Sequence, residues 1–256
     1  MRFVLSVFVL ASLVSVTRGA TIVAPGSSAS TNGNAQGPSP LRSYGIGGSR
    51  VQQVYDHSLF SSVSQPQLIS AIQFRPLNGS PGFLFGSTVT VSNILIDLST
   101  TPHSGEGANP LSMSFADNVG PDSTLVYSGA LILTTAATGT PAGPKAFDYT
   151  ITLQTPFLYD PSLGNLLLDV HIPVVAIVGG NGALGFLNFD TVTNVNDGIY
   201  SVLGPNVGAA TFGQLSTTGV ITSFVTTAVP EPSSIVLGTL GMAALLAWAW
   251  RGRPCN

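Results

Sequence analysis

Charge is what this sequence has least of. Its 256 residues include 8 Lys and Arg and 11 Asp and Glu, 7% of the chain, where an average soluble domain carries about a quarter. Lysine occurs once, at Lys145, and glutamate twice, at Glu106 and Glu231. Between Ala20 and Ala228 four bases (Arg42, Arg50, Arg75, Lys145) stand against ten acids, a balance of −6. Phosphate recognition needs clustered Lys and Arg, so this balance excludes a nucleic-acid partner. Cysteine is nearly missing as well, with Cys255 the single example. No disulfide can then form within the chain, and burial alone must hold it together, which about 200 residues can do.

Ser, Thr, Asn and Gly take the place of the missing charge, alongside 29 Gly, 18 Pro and 44% hydrophobic residues. β-branched residues pack well on pleated strands, and Gly, Pro and Asn make turns, so the composition predicts an all-β exported protein.

The two ends differ from the middle. MRFVLSVFVLASLVSVTRG has one early Arg, an apolar run from Phe3 to Val16 and then small residues, the pattern of a secretory signal peptide over residues 1–19. Cleavage after Gly19 leaves small side chains before the cut, with cleavage after Ala20 as the alternative. An uncleaved N-terminal anchor is the competing reading, but the run is shorter than the ~20 apolar residues of a stable span. At the other end residues 233–250 carry no charge, Trp248 and Trp250 close the run, and Arg251 and Arg253 follow as a basic stop. Eighteen helical residues reach ~27 Å, enough to cross a bilayer core. Interfacial indoles and a basic flank fit one C-terminal transmembrane helix, against the alternative of a buried core helix.

Residues 20–40 are small and polar with three prolines, which predicts a flexible leader, although Ile22 and Val23 leave room for an edge strand. From 41 to 228 the signal has period two. In FDYTITLQ, Phe147, Tyr149, Ile151 and Leu153 point one way; Leu166, Leu168, Val170 and Ile172 repeat the pattern, with Asp169 and His171 opposite. YDPSLGN between them supplies Asp160, Pro161 and Gly164 for a turn, and predicts an antiparallel pair. In STVTVSNILIDLS the apolar phase shifts from odd (Val89, Val91) to even (Ile94, Ile96, Leu98), which predicts a bulge near Ser92 and Asn93. Further short strands separated by Gly, Pro and Asn give a single antiparallel β-sandwich, with a jelly roll among its variants.

Candidate chemistry is sparse. GNGALG at 180–185 matches G-x-G-x-x-G, but FLNFDTVTNVNDG follows where the phosphate-binding motif needs a helix, so a hairpin turn is the reading. Asp117, Asn118 and Asp122, and likewise Asn194, Asn196 and Asp197, form oxygen-rich loops that suit Ca²⁺ in kind but not in spacing; Asx turns explain both sets without a metal. His57, His103 and His171 lie in three separate segments with no metal-ligand spacing. There is no G-x-S-x-G, and single Asp residues do not identify a glycosidase pair. Asn78-Gly79-Ser80 is a formal glycosylation sequon that also reads as a tight turn. Both tryptophans lie in the C-terminal run, leaving Tyr44, Tyr55, Phe83, Phe85 and Tyr200 as aromatic candidates for a sugar platform or, more simply, for packing. These residues call for no cofactor and no enzymatic activity. A polysaccharide-binding module or polysaccharide-acting enzyme is the alternative reading.

Val229-Pro230-Glu231-Pro232, then one apolar span, then Arg251 and Arg253, resembles the PEP-CTERM sorting signal of Gram-negative bacteria. QQVYDHSLF, AIQFRP, ILIDLSTT, VYSGAL and TPFLYDPSLGNLLLDV are similar to phrases in exported proteins bearing that tail. The resemblance implies a membrane-held intermediate, an exosortase-type processing enzyme as partner, delivery to the cell surface or outside, and an association with extracellular polysaccharide and biofilm matrix. The tail RGRPCN has two arginines and ends in Pro-Cys-Asn, where that family usually ends in a basic cluster. Prolines at 230 and 232 deny a helix around Glu231, so the motif stays extended outside the bilayer. A Pro-rich spacer before a permanent anchor is the plainer alternative. The expected organisation is thus signal peptide 1–19, leader 20–40, sandwich 41–228 and sorting segment 229–256.

Overall fold

The computed structural model describes residues 19–35, 41, 48–63, 65–78, 88–105, 107–137, 142–173, 177–179, 189–205, 213–229 and 240–243. Gly19–Val229 forms one compact unit, and Met1–Arg18 and Pro230–Asn256 fall outside it. The strands of that unit are β1 (Ala20–Ala24), β2 (Ser49–Tyr55), β3 (Gln67–Phe74), β4 (Thr88–Thr101), β5 (Thr124–Thr134), β6 (Tyr149–Tyr159), β7 (Asn165–Ile172), β8 (Ile177–Gly179), β9 (Thr191–Thr193), β10 (Ile199–Pro205), β11 (Gln214–Ser216), β12 (Thr218–Val220) and β13 (Thr222–Ala228). One helical turn, α1 (Phe115–Asn118), follows β4.

All of the strand pairs are antiparallel. A four-stranded sheet has the order β1-β13-β3-β6; a seven-stranded sheet runs β11-β10-β2-β7-β4-β5 with β8 also on β4; β9 and β12 form a small third sheet. The pairs β4–β5, β3–β6, β2–β7 and β1–β13 nest one inside the next along the chain and fall alternately in the larger and the smaller sheet. Both sheets feed one core: Ile72, Phe74, Ile151, Phe157 and Phe224 from the smaller meet Ile94, Leu98, Leu168 and Val170 from the larger. Tyr55 and Phe60 close against Phe224, with ring centroids 5.0 and 5.6 Å apart. At roughly 25 cal/mol per Å² of apolar surface, such burial is the main force available to a chain without disulfides.

Alternation explains β6 best. Tyr149, Ile151, Leu153, Phe157 and Tyr159 are buried while the residues between them are exposed, so the period continues beyond the expected Leu153. The phase shift in β4 is a bulge, since Val91 pairs with Leu131 and Ile94 with Gly129, giving β4 one extra residue and keeping Val91, Ile94, Ile96 and Leu98 all buried.

Three expectations need correction. β6 and β7 do not pair: β6 lies on β3, and β7 lies between β2 and β4. The turn chemistry is present, with Asp160 accepting from the Ser162 and Leu163 N–H groups and Gly164 at φ +151, but both flanking strands carry an inward apolar row and the core needs one from each sheet. The face of β7 that holds Asp169 is not solvated either, because Leu111 and Phe115 cover it against Val54, Leu167 and Val202. Finally, residues 20–35 are not a flexible leader; the edge strand for which Ile22 and Val23 left room is β1. β1 pairs with β13 from Ala20↔Thr226 to Ala24↔Thr222 and buries Ile22 and Ala24, which offsets the cost of ordering it. Residues 36–40 lie outside the described residues.

The segment after β1 is held by charge. Arg75, just past β3, is wholly buried and donates through Nε to Asp190 Oδ2 at 2.8 Å and through Nη2 to the Thr31 carbonyl at 2.6 Å. Asp190 is 1% exposed and also accepts from Gly33 N–H, while its own carbonyl takes Ile221 N–H. The guanidinium lies 4.9 Å from the Phe147 ring centroid. Burial pulls the Arg75 pKa below its ordinary value and Asp190 pulls it back up. Removing one partner strands the other in a dry site. Asp190→Asn is expected to lower stability by about 3–5 kcal/mol, read as the shift in urea midpoint, whereas Arg75→Met with Asp190→Leu recovers most of that loss. An Asp190→Asn midpoint equal to wild type rules out this pair as a fold determinant.

Candidate functional site

The compact unit begins and ends at one place. Ala20, the first residue of β1, sits opposite Thr226, and exposed Gly19 precedes it. The last ladder pair of β13 is Ala228↔Gln67, and Val229 N–H still donates to the Pro66 carbonyl at 3.2 Å. The predicted cleavage residues Gly19 and Ala20 and the first residue of the PEP motif, Val229, therefore mark the two margins of the fold. Pro230, Glu231, Pro232, Arg251 and Arg253 lie outside the described residues, as does most of the expected span; Leu240–Ala243 within it are helical and exposed. Among the described residues no helix is long and apolar enough to cross a membrane.

The calcium candidates serve structure. Asn118 is fully buried, its Oδ1 accepting Ser112 N–H at 2.8 Å and its Nδ2 donating to Gln52 Oε1 and the Ser112 carbonyl. Asp117 Oδ2 accepts the Ser112 hydroxyl, and Asp122 Oδ1 accepts Thr100 N–H at 2.7 Å. Asp117 and Asn118 meet at Ser112 while Asp122 bonds Thr100, and among the described residues no three His, Cys, Asp or Glu side chains cluster to hold a metal. GNGALG also lies outside the described residues, and the first described strand after it is β9.

The histidines are partly gathered. Asn165 accepts through Oδ1 from both His57 N–H and His57 Nδ1, and donates through Nδ2 to the His103 carbonyl, tying two loops at one end of β7. The His103 ring turns away, its Nδ1 on the Pro110 carbonyl. His171 lies further along β7, between Leu95 and Arg50 in register, with Nε2 enclosed and unbonded.

Sequence reasoning missed the densest polar network. Arg50 forks onto Asp169, Nε to Oδ1 at 3.0 Å and Nη2 to Oδ2 at 2.5 Å, and stacks 5.0 Å from the Phe115 centroid. Gln52 Nε2 adds a bond to Asp169 Oδ2 at 2.7 Å. Burial opposes the Arg50 charge, but the hydrogen bonds and charge of Asp169 outweigh it and raise its pKa. Asp97 faces Asp169 directly across β4 and β7. Its own burial, and then the Asp169 charge, raise the Asp97 carboxyl above the usual aspartate range, with Arg50 and His171 opposing. Two carboxylates thus neighbour one another on one sheet face, but Asp169 has both oxygens engaged. The available signal was arithmetic: ten acids outnumber four bases in this region, so a base drawn into the fold had acids to meet, though no particular one was marked.

Searches of curated proteins and of solved structures find no match to this chain. A family model does match, over residues 228–253, and its description is the PEP-CTERM protein-sorting motif. That stretch begins at the last residue of β13, so a β-rich compact unit of three antiparallel sheets leads directly into the segment that would be handled for export. The chain carries a PEP-CTERM protein-sorting motif, the mark of a protein sorted to the cell surface by an exosortase-type enzyme.

Proposed function

We propose that this is a non-enzymatic surface or extracellular-matrix protein, a jelly-roll sandwich exported by a signal peptide, held by a C-terminal helix over about 233–250 and released by cutting at the PEP motif. The observation that carries the reading is the match at 228–253, which starts where the last hydrogen bonds of the fold stop. The nested strand pairs support the jelly-roll winding. The single hold supports transience: a span barely long enough to cross, with a short basic stop, keeps the extended motif near a membrane-embedded enzyme. Asp97 and Asp169 do not offer the two free carboxylates a glycosidase uses, because Arg50 and Gln52 occupy the second.

In the native host Glu231→Ala is expected to leave export intact while the full-length membrane-bound form accumulates. C-terminal peptide analysis of surface and culture fractions checks this; wild-type surface protein that still ends in WAWRGRPCN, in a host with the processing enzyme, makes the tail an ordinary anchor.

The carboxylate pair gives a second test. Because the folded Asp97 carboxyl binds its proton more tightly than the unfolded one, folding is favoured at acid pH and weakened as pH rises through the carboxylate range. Asp97→Asn is therefore expected to raise the melting temperature at pH 7, with the gain vanishing as pH falls below that range. A loss of stability, or loss of turnover on a polysaccharide panel, would assign Asp97 a working role instead.

A further inference from the structure

The one lysine of the chain is not where lysines usually lie. Lys145 is 6% exposed, whereas this side chain normally keeps its ammonium in water. Its Nζ donates to the Leu77 carbonyl at 3.1 Å, and that carbonyl belongs to the peptide bond leading into Asn78. Asn78 reaches back in the same way, its Nδ2 donating at 2.8 Å to the carbonyl of Gly143, two residues before Lys145. An amine and a carboxamide thus cross between the segment after β3 and the segment before β6, each bonded to the backbone beside the other. The same two segments are held by the Arg75 guanidinium, 4.9 Å from the Phe147 ring centroid. Asn78 Oδ1 is shut off from solvent.

A carboxylate stands ready to move a proton. Asp148 Oδ2 accepts the Thr135 hydroxyl at 2.7 Å and Ala136 N–H at 2.8 Å, while Oδ1 is shut off from solvent and has no hydrogen-bond partner among the described residues. The Asp148 charge acts on Lys145 more strongly than that of Asp190. Burial nevertheless draws the Lys145 amine below its ordinary pKa, towards the neutral form that is nucleophilic. We infer that Lys145 and Asn78 condense within the folded chain into an isopeptide bond. The neutral amine attacks Asn78 Cγ and the Nζ–Cγ bond forms. The Cγ–Nδ2 bond then breaks with its electron pair on Nδ2, one amine proton passes through Asp148 Oδ1 to Nδ2, and ammonia leaves. No oxidant or other reactant is consumed. Holding the two groups against shared backbone supplies the proximity the step needs, and the product is a covalent tie between the ends of β3 and β6 in a chain that can form no internal disulfide. The site stands apart from the sorting segment and does not depend on how that segment is processed.

With a single lysine, the chain has one site for a lysine-specific protease, after Lys145, and an acylated lysine is not cut. The full-length chain, extracted in detergent and then unfolded in urea, is expected to resist that protease, while Asn78→Ala, whose Lys145 amine stays free, is cut in two. Digestion of the wild type with a second protease is expected to give one branched peptide joining Asn78 to Lys145, lighter than its two parts by one ammonia in tandem mass spectrometry. Asp148→Asn is expected to form the bond at least about a hundredfold more slowly, so that the freshly made variant is still cut. Wild type cut to completion overturns the proposal, and so does ammonia lost only from a linear peptide containing Asn78-Gly79, the product of ring closure at that asparagine. A branched peptide formed as fast in Asp148→Asn as in wild type removes Asp148 from the proton path.

Discussion

The contact between Arg75 and Asp190 is the constraint on which most of this fold converges. It joins parts of the chain far apart in sequence: the end of β3, the segment after β1 through Thr31 and Gly33, Phe147 before β6, Asp190 before β9, and Ile221 just before β13. A buried ion pair is a weak source of net stability, because desolvation consumes most of its attraction. What it enforces is uniqueness. Any arrangement that separates these segments leaves a full charge in a dry site, so alternative packings of the same apolar strands are disfavoured by much more than this one is favoured.

The larger sheet uses the same device on its outer face. Arg50, Asp169, Gln52 and Asn118 join β2, β7 and α1 in one hydrogen-bonded chain, so the helical turn that covers the sheet is held by polar contacts as well as apolar ones. Gln53 does comparable work between the sheets, its amide bonding both the N–H and the carbonyl of Val220 as a neighbouring strand would. A protein with so few charged side chains places several of them where water is absent.

How much of this was legible varies with its physical origin. Alternation in β6 and the displaced phase in β4 are local properties, so the strands and the bulge could be read from Tyr149, Ile151, Val91 and Ile94 alone. The turn at Asp160 and Gly164 was equally readable, yet turn chemistry does not say whether the next strand returns beside the last or crosses to another sheet; that depends on which apolar rows the core must pair. β1 was legible only as an alternative to a leader, through Ile22 and Val23, because five residues with two buried side chains carry little signal and their stability comes from β13, some 200 residues away by the register of Ala20 and Thr226. The sorting segment was legible for the opposite reason: order and composition define it. The loop with Asn196 and the ring of Tyr200 on β10 drew notice as separate candidates, and only the fold shows that they line one cleft.

The pairing of β1 with β13 has a consequence for synthesis. The first strand of the compact unit to be made waits for the last, since none of its ladder partners exists until residues 222–226 have been joined to the chain. A truncated product stopping before that point would leave β1 without its neighbour and the flank of β3 that β13 occupies open to solvent, and an open strand edge is what chaperones and proteases engage. Closure of this sheet therefore requires residues 222–226, which lie immediately ahead of the stretch that matches the sorting motif.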